Sequence, residues 1–234
     1  KALYDYYQDP QIDLLVNDDT ISIASLIPFI NNIYTFSYQK KKNDRWKQEK
    51  NILSSIFKKY DLSINLTASD RAVLYALLAG KKSISAIEAD KKKSWWKKIF
   101  LSHYYYFDNS KHILENNLQP LGFLRINYEN IHYPIEVSKK VTSNIKKKLK
   151  SIKVNDFVIF HASTQYKYKI YPQNLRDILL SSLSELGIVI LMTGGNNPLD
   201  LQIKKQIPSL PNVIDFIGET SFEEFFALSQ LSLG

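Results

Sequence analysis

The chain has 234 residues, 44% hydrophobic and 23% charged, with no cysteine and a formal net charge of +8. That length can bury one large or two modest cores, and the lack of cysteine excludes disulfides and thiolate metal sites. No apolar run approaches the roughly 18 residues of a membrane span, and no signal-peptide pattern opens the chain. The charge is uneven: residues 1–39 carry one base against five acids, 40–111 carry seventeen against seven, and 137–234 carry twelve against eight. A central basic excess suits a surface that meets an anionic partner, whether nucleic acid, anionic lipid or phosphorylated glycan.

Leu3, Tyr4 and Tyr7 share one helical face, so residues 1–7 read as the end of a helix, closed by the Asp9-Pro10 turn. Residues 12–16 read as a strand, Thr20 as the cap of a short helix ending near Pro28, and 33–37 as a second strand. Residues 43–60 read as a helix whose apolar side holds Trp46, Ile52, Leu53, Ile56 and Phe57. A strand at 62–66 follows, then a helix entered through 67–71 and ended by Gly80, then a strand at 84–87. Residues 90–107, DKKKSWWKKIFLSHYYYF, have no clean period. Lysines interleaved with Trp95, Trp96, Phe100 and three tyrosines suit a membrane-interfacial segment. The same pattern also suits a charged loop with inward-packed aromatics, or stacking on single-stranded nucleic acid. Residues 112–122 read as a helix, 133–136 as an extended linker and 138–150 as a basic helix. The boundary near 136 gives two domains, 1–136 and 137–234.

Residues 156–197, DFVIFHASTQYKYKIYPQNLRDILLSSLSELGIVILMTGGNN, organise the second domain. The apolar run 157–160 reads as a buried strand. A polar loop at 161–169 follows, and Pro172 stands where a first helical residue would. Leu175, Ile178, Leu179, Leu183 and Leu186 repeat at helical spacing as an apolar face, and Gly187 supplies a left-handed stop. Residues 188–192 form a second strand, closed by Thr193, Gly194 and Gly195. Strand, loop, helix and strand make a βαβ unit with a parallel pair. Ligands of such sheets gather where strand carboxyl ends meet helix amino ends. The 163–169 loop, with two hydroxyls and two lysines, is therefore a natural anion site; on spacing alone, a solvated loop in a lysine-rich chain is the alternative. Asn197 and Pro198 open a helix to 207, 213–217 form a strand, and Ser221 with Glu224 form a capping box opening a helix to about 230. Residues 231–233 start a further strand. Helices and strands in alternation argue an α/β protein with mostly parallel sheets.

Ser163 and Thr164, then Lys169-Ile-Tyr-Pro172, a helix, an apolar strand and Gly194-Gly195 resemble the donor half of glycosyltransferase family 9. Its members include ADP-heptose:lipopolysaccharide heptosyltransferases. The resemblance implies two Rossmann-like domains of the GT-B type, both incomplete here, with the acceptor side first. It implies that Ser163, Thr164 and Lys169 contact a nucleotide-sugar diphosphate and that Gly194, Gly195 and Thr220 line the nucleotide. Residues 60–66 with Ser69-Asp-Arg71 and Ala79-Gly80 resemble the acceptor half, where a basic residue at the place of Arg71 helps hold an acidic acceptor. Asn65, Thr67 and Ala68 depart from the Asp, Gln and Gly common there, and an ordinary first-turn arginine is the alternative. His112, opening a helix that ends in Leu-Gly, resembles the family's inter-domain helix and is read as structural.

The implied activity is inverting transfer of heptose from ADP-heptose to the inner core of lipopolysaccharide or lipooligosaccharide. No Asp-x-Asp motif occurs, so no metal cofactor is expected. The implied partners are the nucleotide sugar and a lipid-linked anionic glycan, met in the cytoplasm, with peripheral contact through 90–107 at the inner face of a bacterial inner membrane. In the family a general-base Asp precedes the helix with which this chain opens, and an Asp-Ser/Thr-Gly-x-x-His segment would follow Gly234. The expectation is that these residues are the interior of a longer protein and that the catalytic residue lies before Lys1. The alternatives are a related GT-B transferase using another nucleotide sugar, an inactive scaffold, or a basic nucleic-acid-binding protein, the last without a legible binding motif.

Overall fold

The computed structural model describes all residues except 40–41, 90–93, 129–134 and 165, and the side chains of 42 and 43. The chain divides into two units, Lys1–Pro134 and Ile135–Gly234. Each is built from parallel strands alternating with helices, an α/β architecture.

The first unit runs α1 (Ala2–Tyr7), β1 (Asp13–Asn17), α2 (Ile21–Ala24), β2 (Asn32–Phe36), α3 (Lys42–Ile56), β3 (Tyr60–Asn65), α4 (Asp70–Ala79), β4 (Gly80–Ile87), α5 (Trp95–Phe100), β5 (His103–Tyr106) and α6 (Ile113–Phe123). β1 pairs in parallel with β2, and β3, β4 and β5 form a second parallel ladder with β4 in the middle. Alternate residues of β4 point to opposite faces. Ile87 packs with Val73 of α4 and Leu101, while Ile84 and Ala86 pack with Tyr105 and Leu124. A third cluster joins Phe36 to Ile52 and Ile56 of α3 and to Tyr75 and Ala79 of α4. Ser69 caps α4, its hydroxyl accepting the Ala72 amide at 3.3 Å, and the His112 ring caps α6 by accepting the Leu114 amide. His112 thus has the structural role expected of it.

The second unit runs α7 (Lys139–Ser151), β6 (Val158–His161), α8 (Gln173–Glu185), β7 (Ile190–Gly194), α9 (Pro198–Lys204), β8 (Val213–Ile217) and α10 (Phe222–Leu231). Its sheet is β6-β7-β8, all parallel. Both faces are covered, which is why β7 reads as one continuous apolar run. Leu191 faces Ile145 and Leu149 of α7 and Ala227 and Leu228 of α10, whereas Ile190 and Met192 face Leu180 of α8 and Ile203 of α9. All three β7 residues have no exposed surface, each worth about 1.5–3 kcal/mol relative to exposure. Gly187 ends α8 at φ +76°, the left-handed conformation predicted for it. Ser221 and Glu224 form the predicted capping box on α10. The Leu233 amide donates to Phe157 and the Ile159 amide to Gly234, so the last residues start a ladder along β6.

Three expectations are corrected. Trp46 and Phe57 do not belong to the apolar side of α3: they are 81% and 55% exposed, whereas Ile52 and Ile56 are buried as expected and Gln48 joins them. Gln48 is polar yet buried because its amide donates to the Ser37 carbonyl and accepts the Ser37 amide, completing the backbone at the end of β2. The stripe predicted for α8 is rotated: Leu175, Ile178 and Leu186 are exposed, and the inward residues are Arg176 and Leu180. Thr20 does not cap α2, since its hydroxyl donates back to the Asn17 carbonyl at 2.8 Å. The 90–107 stretch resolves from Ser94 onward into α5 and β5, and residues 90–93 lie outside the described residues. The linker predicted at 133–136 lies half outside them.

Candidate functional site

In the second unit the three strands end together. His161 of β6 is opposite Thr193 of β7, and Gly194 of β7 is opposite Ile217 of β8. The loops that follow carry Ser163 and Thr164, then Gly194 and Gly195, then Thr220, so the predicted nucleotide-contacting residues share one end of one sheet. His161 Nδ1 lies 3.2 Å from Thr193 Oγ1, and its ring meets the edge of Phe225. His161 was not singled out as a site residue, although it ends the strand that leads into the loop.

Asp200 shapes the floor of this end. It is 2% exposed, and its Oδ2 accepts the Gly195 amide at 2.7 Å and the Asn197 side-chain amide at 2.6 Å. Asn197 in turn caps α9, accepting the Leu199 and Asp200 amides. The carboxylate packs directly on the turn: a Cβ on Gly194 would lie 3.3 Å from Asp200, and one on Gly195 3.0 Å from Oδ2. This close approach is the physical reason for the glycine pair. Gly218 follows β8 at φ +75° and donates to the Gly194 carbonyl at 3.0 Å, tying the second loop to the third.

The first loop is closed by its own hydroxyl. Thr164 Oγ1 donates to the Tyr166 carbonyl at 2.8 Å and accepts the Tyr166 amide at 3.3 Å. Lys167–Lys169 form one turn of 3₁₀ helix, and α8 then starts at Gln173, with Pro172 just before the helix rather than at its first position and no side-chain cap on its first amides. A groove of about 480 Å³ runs beside this loop, lined by Thr164, Lys167, Asn197, Pro198, Leu199 and Gln202. Lys167 therefore faces the groove with Thr164. The Lys169 ammonium lies 5.4 Å and 5.8 Å from the ring centres of Tyr166 and Tyr168. At the end of α9, Lys204 holds Asp215 of β8 at 2.9 Å and Glu219 of the loop after β8 at 3.6 Å. The Asp215 hydrogen bond, outweighing the effect of burial, raises the Lys204 pKa and keeps it cationic.

In the first unit Arg71 stands at the first turn of α4 beside the carboxyl end of β2. Its guanidinium lies 4.2 Å from the Phe36 ring centre and 5.5 Å from that of Tyr38, and its Nε is 3.3 Å from Glu49. The Tyr75 hydroxyl donates to the other Glu49 oxygen. Burial and this carboxylate both push the Tyr75 phenol pKa upward, so it remains a donor. Arg71 Nη1 is enclosed with no hydrogen-bond partner among the described residues, and the side chain is fixed by two rings and an acid. Asn65 and Thr67 hydrogen-bond to each other, and Asn65 also reaches Ser85. Among the described residues no group of three His, Asp or Glu is arranged to hold a metal ion, and no helix is long and apolar enough to cross a membrane.

The sequence profile of glycosyltransferase family 9 (heptosyltransferase) matches residues 51–232. Lipopolysaccharide heptosyltransferase 3 of Escherichia coli K12 is 28% identical over 232 residues, covering 95% of this chain and 66% of that protein. Among solved structures, a glycosyltransferase family 9 protein from Veillonella parvula superposes with a TM-score of 0.78 at 16% identity, over 97% of this chain and 65% of that one. Escherichia coli heptosyltransferase WaaC with ADP superposes at 0.72 and 14% identity, over 99% and 73%. These superpositions establish the GT-B fold, and the profile spans more than half the chain. The chain belongs to glycosyltransferase family 9.

Proposed function

We propose that the protein of which this chain is a part transfers a heptose, with inversion, from ADP-heptose to the inner core of a bacterial lipopolysaccharide or lipooligosaccharide. The observation that carries the reading is the gathering of the three loops at the carboxyl ends of β6, β7 and β8, beside the uncapped start of α8. Such an end offers fixed N–H donors and a favourable dipole to a diphosphate. The names of the relatives, a lipopolysaccharide heptosyltransferase and a heptosyltransferase with ADP, supply the substrate class.

In this proposal Ser163, Thr164 and Lys169 hold the diphosphate, with Gly194, Gly195 and the Thr220 backbone along the nucleotide. The acceptor hydroxyl attacks the anomeric carbon as the nucleoside diphosphate leaves with the bonding pair. Charge grows on the departing phosphate, and donors already aimed at it lower the barrier. Protein groups meet that charge, with no metal cofactor. Arg71, whose side chain is 34% exposed at the first turn of α4, is assigned to the acidic acceptor. The protein works in the cytoplasm, resting on the inner membrane through α5, where Trp95, Ile99 and Phe100 are exposed beside lysines.

Thermal shift of the full-length protein with ADP-heptose against UDP sugars tests the donor. A rise confined to ADP-heptose supports the reading. A rise with a UDP sugar instead assigns another nucleotide sugar, and no response to any of them removes the donor-site assignment.

A further inference from the structure

Arg176 is the largest fully buried side chain among the described residues, at 1% exposure. It lies on the inward side of α8, one turn from the helix start, and its hydrogen bonds are few. Nη2 donates to Gln206 Oε1 at a long 3.4 Å. Nε is enclosed with no hydrogen-bond partner, and the Asp177 carboxylate stands 3.8 Å away, beyond hydrogen-bond reach. Adjacent helix positions do not face each other, which is why Asp177 falls short. A buried guanidinium so poorly matched is costly unless a further anion completes it.

Arg176 is one of the residues lining a groove of about 370 Å³ between α8 and α9, with Lys167, Pro172, Gln173, Gln202 and Gln206. No carboxylate lines it. The first amides of α8, which no side chain caps, open at the same place. A planar guanidinium fork, an ammonium, free helix amides and rotatable side-chain amides together match a tetrahedral dianion.

We propose that this groove is a phosphate-binding pocket in which Arg176 is the buried anchor and Lys167 the cation at the rim. It adjoins the proposed donor groove through Lys167 and Gln202 and rests on that reading only for one of its two phosphate sources. That source is the diphosphate of the bound nucleotide; the other is free inorganic phosphate.

The test is thermal shift on the full-length protein with inorganic phosphate or ADP, against chloride at matched ionic strength. The wild type gains several degrees with at least one of them. Arg176→Met loses that response, its affinity falling by about tenfold or more, while its Tm in chloride stays near wild type because a poorly hydrogen-bonded buried charge has been removed and Asp177, 35% exposed, keeps contact with water. Arg176→Lys folds and keeps a weaker response, which guards against a failure of the Met variant to fold. An Arg176-dependent response to ADP alone assigns the pocket to the nucleotide; one to phosphate, with ADP binding intact in Arg176→Met, makes it a separate phosphate site. Responses unchanged in Arg176→Met, a wild type that answers to neither probe, or equal effects of chloride would overturn the proposal. Loss of ADP-heptose binding in Lys169→Ala reports on the donor reading independently, whatever Arg176 does.

Discussion

The Lys97 ammonium lies 2.6 Å from an Asp70 carboxylate oxygen, on a side chain with no exposed surface. It also donates to the Ala68 carbonyl at 2.8 Å. One lysine of α5 thus fixes the loop that enters α4, next to Arg71. The two partners are unequal, since the Asp70 side chain is 73% exposed. Removing Asp70 leaves a buried cation short of its counterion, whereas removing Lys97 leaves an acid that water can solvate. Asp70→Ala is expected to cost about 2–3 kcal/mol, less than a wholly buried pair because solvent already screens the acid. Lys97→Met is expected to cost about 1 kcal/mol, the lost bond to Ala68 being offset by apolar burial. Urea unfolding of both variants checks the order.

The two lysines of the donor loop separate by position. Lys169→Ala in the full-length protein is expected to lose transfer activity and to weaken diphosphate affinity by about 10–100-fold, the loss of a charge-assisted contact. Lys167→Ala, which removes the cation lining the groove, is expected to weaken nucleotide affinity by about tenfold. Both side chains are exposed, so Tm without nucleotide stays within about a degree of wild type. Calorimetry with ADP and a single-turnover assay distinguish them. Unchanged affinity in Lys169→Ala would refute its assignment.

Gly195 cannot gain a side chain without disturbing Asp200. The added Cβ would lie 3.0 Å from the buried carboxylate that accepts the Gly195 amide. Gly195→Ala is therefore expected to cost about 1–3 kcal/mol and to weaken nucleotide binding by opening the turn. A variant as stable as wild type by urea unfolding would show that the turn yields freely.

Much of this was legible because its signals are local. The Ser221 and Glu224 capping box, the Gly187 stop, the Asn197-Pro198 helix start and the 213–217 strand each depend on a few neighbouring residues, and all are found where they were predicted. What failed needed the partner surface. Leu175, Ile178, Leu179, Leu183 and Leu186 make a good stripe on paper, yet of these only Leu183 packs on the core, and the side of α8 facing the sheet also carries Arg176 and Leu180. A long arginine stem buries as well as a leucine, and hydrophobicity alone cannot see that. Trp46 failed for the converse reason, as large apolar surface left 81% exposed. In 90–107 the lysines concealed a six-residue helix and a four-residue strand, both too short for a clean period. Asp200 carried no sequence signal beyond its place after the glycine pair; its role is tertiary.

Asp13 links β1 to β3, strands that do not pair with each other. Its side chain is 3% exposed, and it accepts from the Tyr60 hydroxyl at 2.6 Å, Asn32 at 2.9 Å and Lys59 at 3.0 Å. Burial opposes ionisation, but these three donors outweigh it and hold the Asp13 pKa below its ordinary value. A depressed carboxylate contributes stability that is complete above its unfolded pKa of about 3.9 and is lost as pH falls through the lower folded value. Urea unfolding of the wild type should lose this contribution as pH falls below about 4. Asp13→Asn is expected to be about 1–3 kcal/mol less stable at neutral pH and to show a flatter decline into acid. Parallel declines in the two proteins would exclude Asp13 as a source of the acid sensitivity.

Trp95, Ile99 and Phe100 are 64%, 64% and 65% exposed on the six residues of α5. Lys97 is inward and spent on Asp70, so the apolar residues of this short helix cannot turn inward without undoing that pair. Lys98, its ammonium 5.3 Å from the Tyr106 ring centre, borders them. Rings and aliphatic groups held outward beside lysines are the composition of an interfacial anchor, where each lysine near anionic headgroups adds about 1 kcal/mol. The full-length protein is expected to co-float with vesicles containing anionic lipid and to be released by high salt, while Trp95→Ser with Phe100→Ser reduces flotation by about tenfold or more without lowering Tm. Both side chains are largely in water already, so a fall in Tm would mean that they pack within the protein, and undiminished flotation would move the anchor elsewhere.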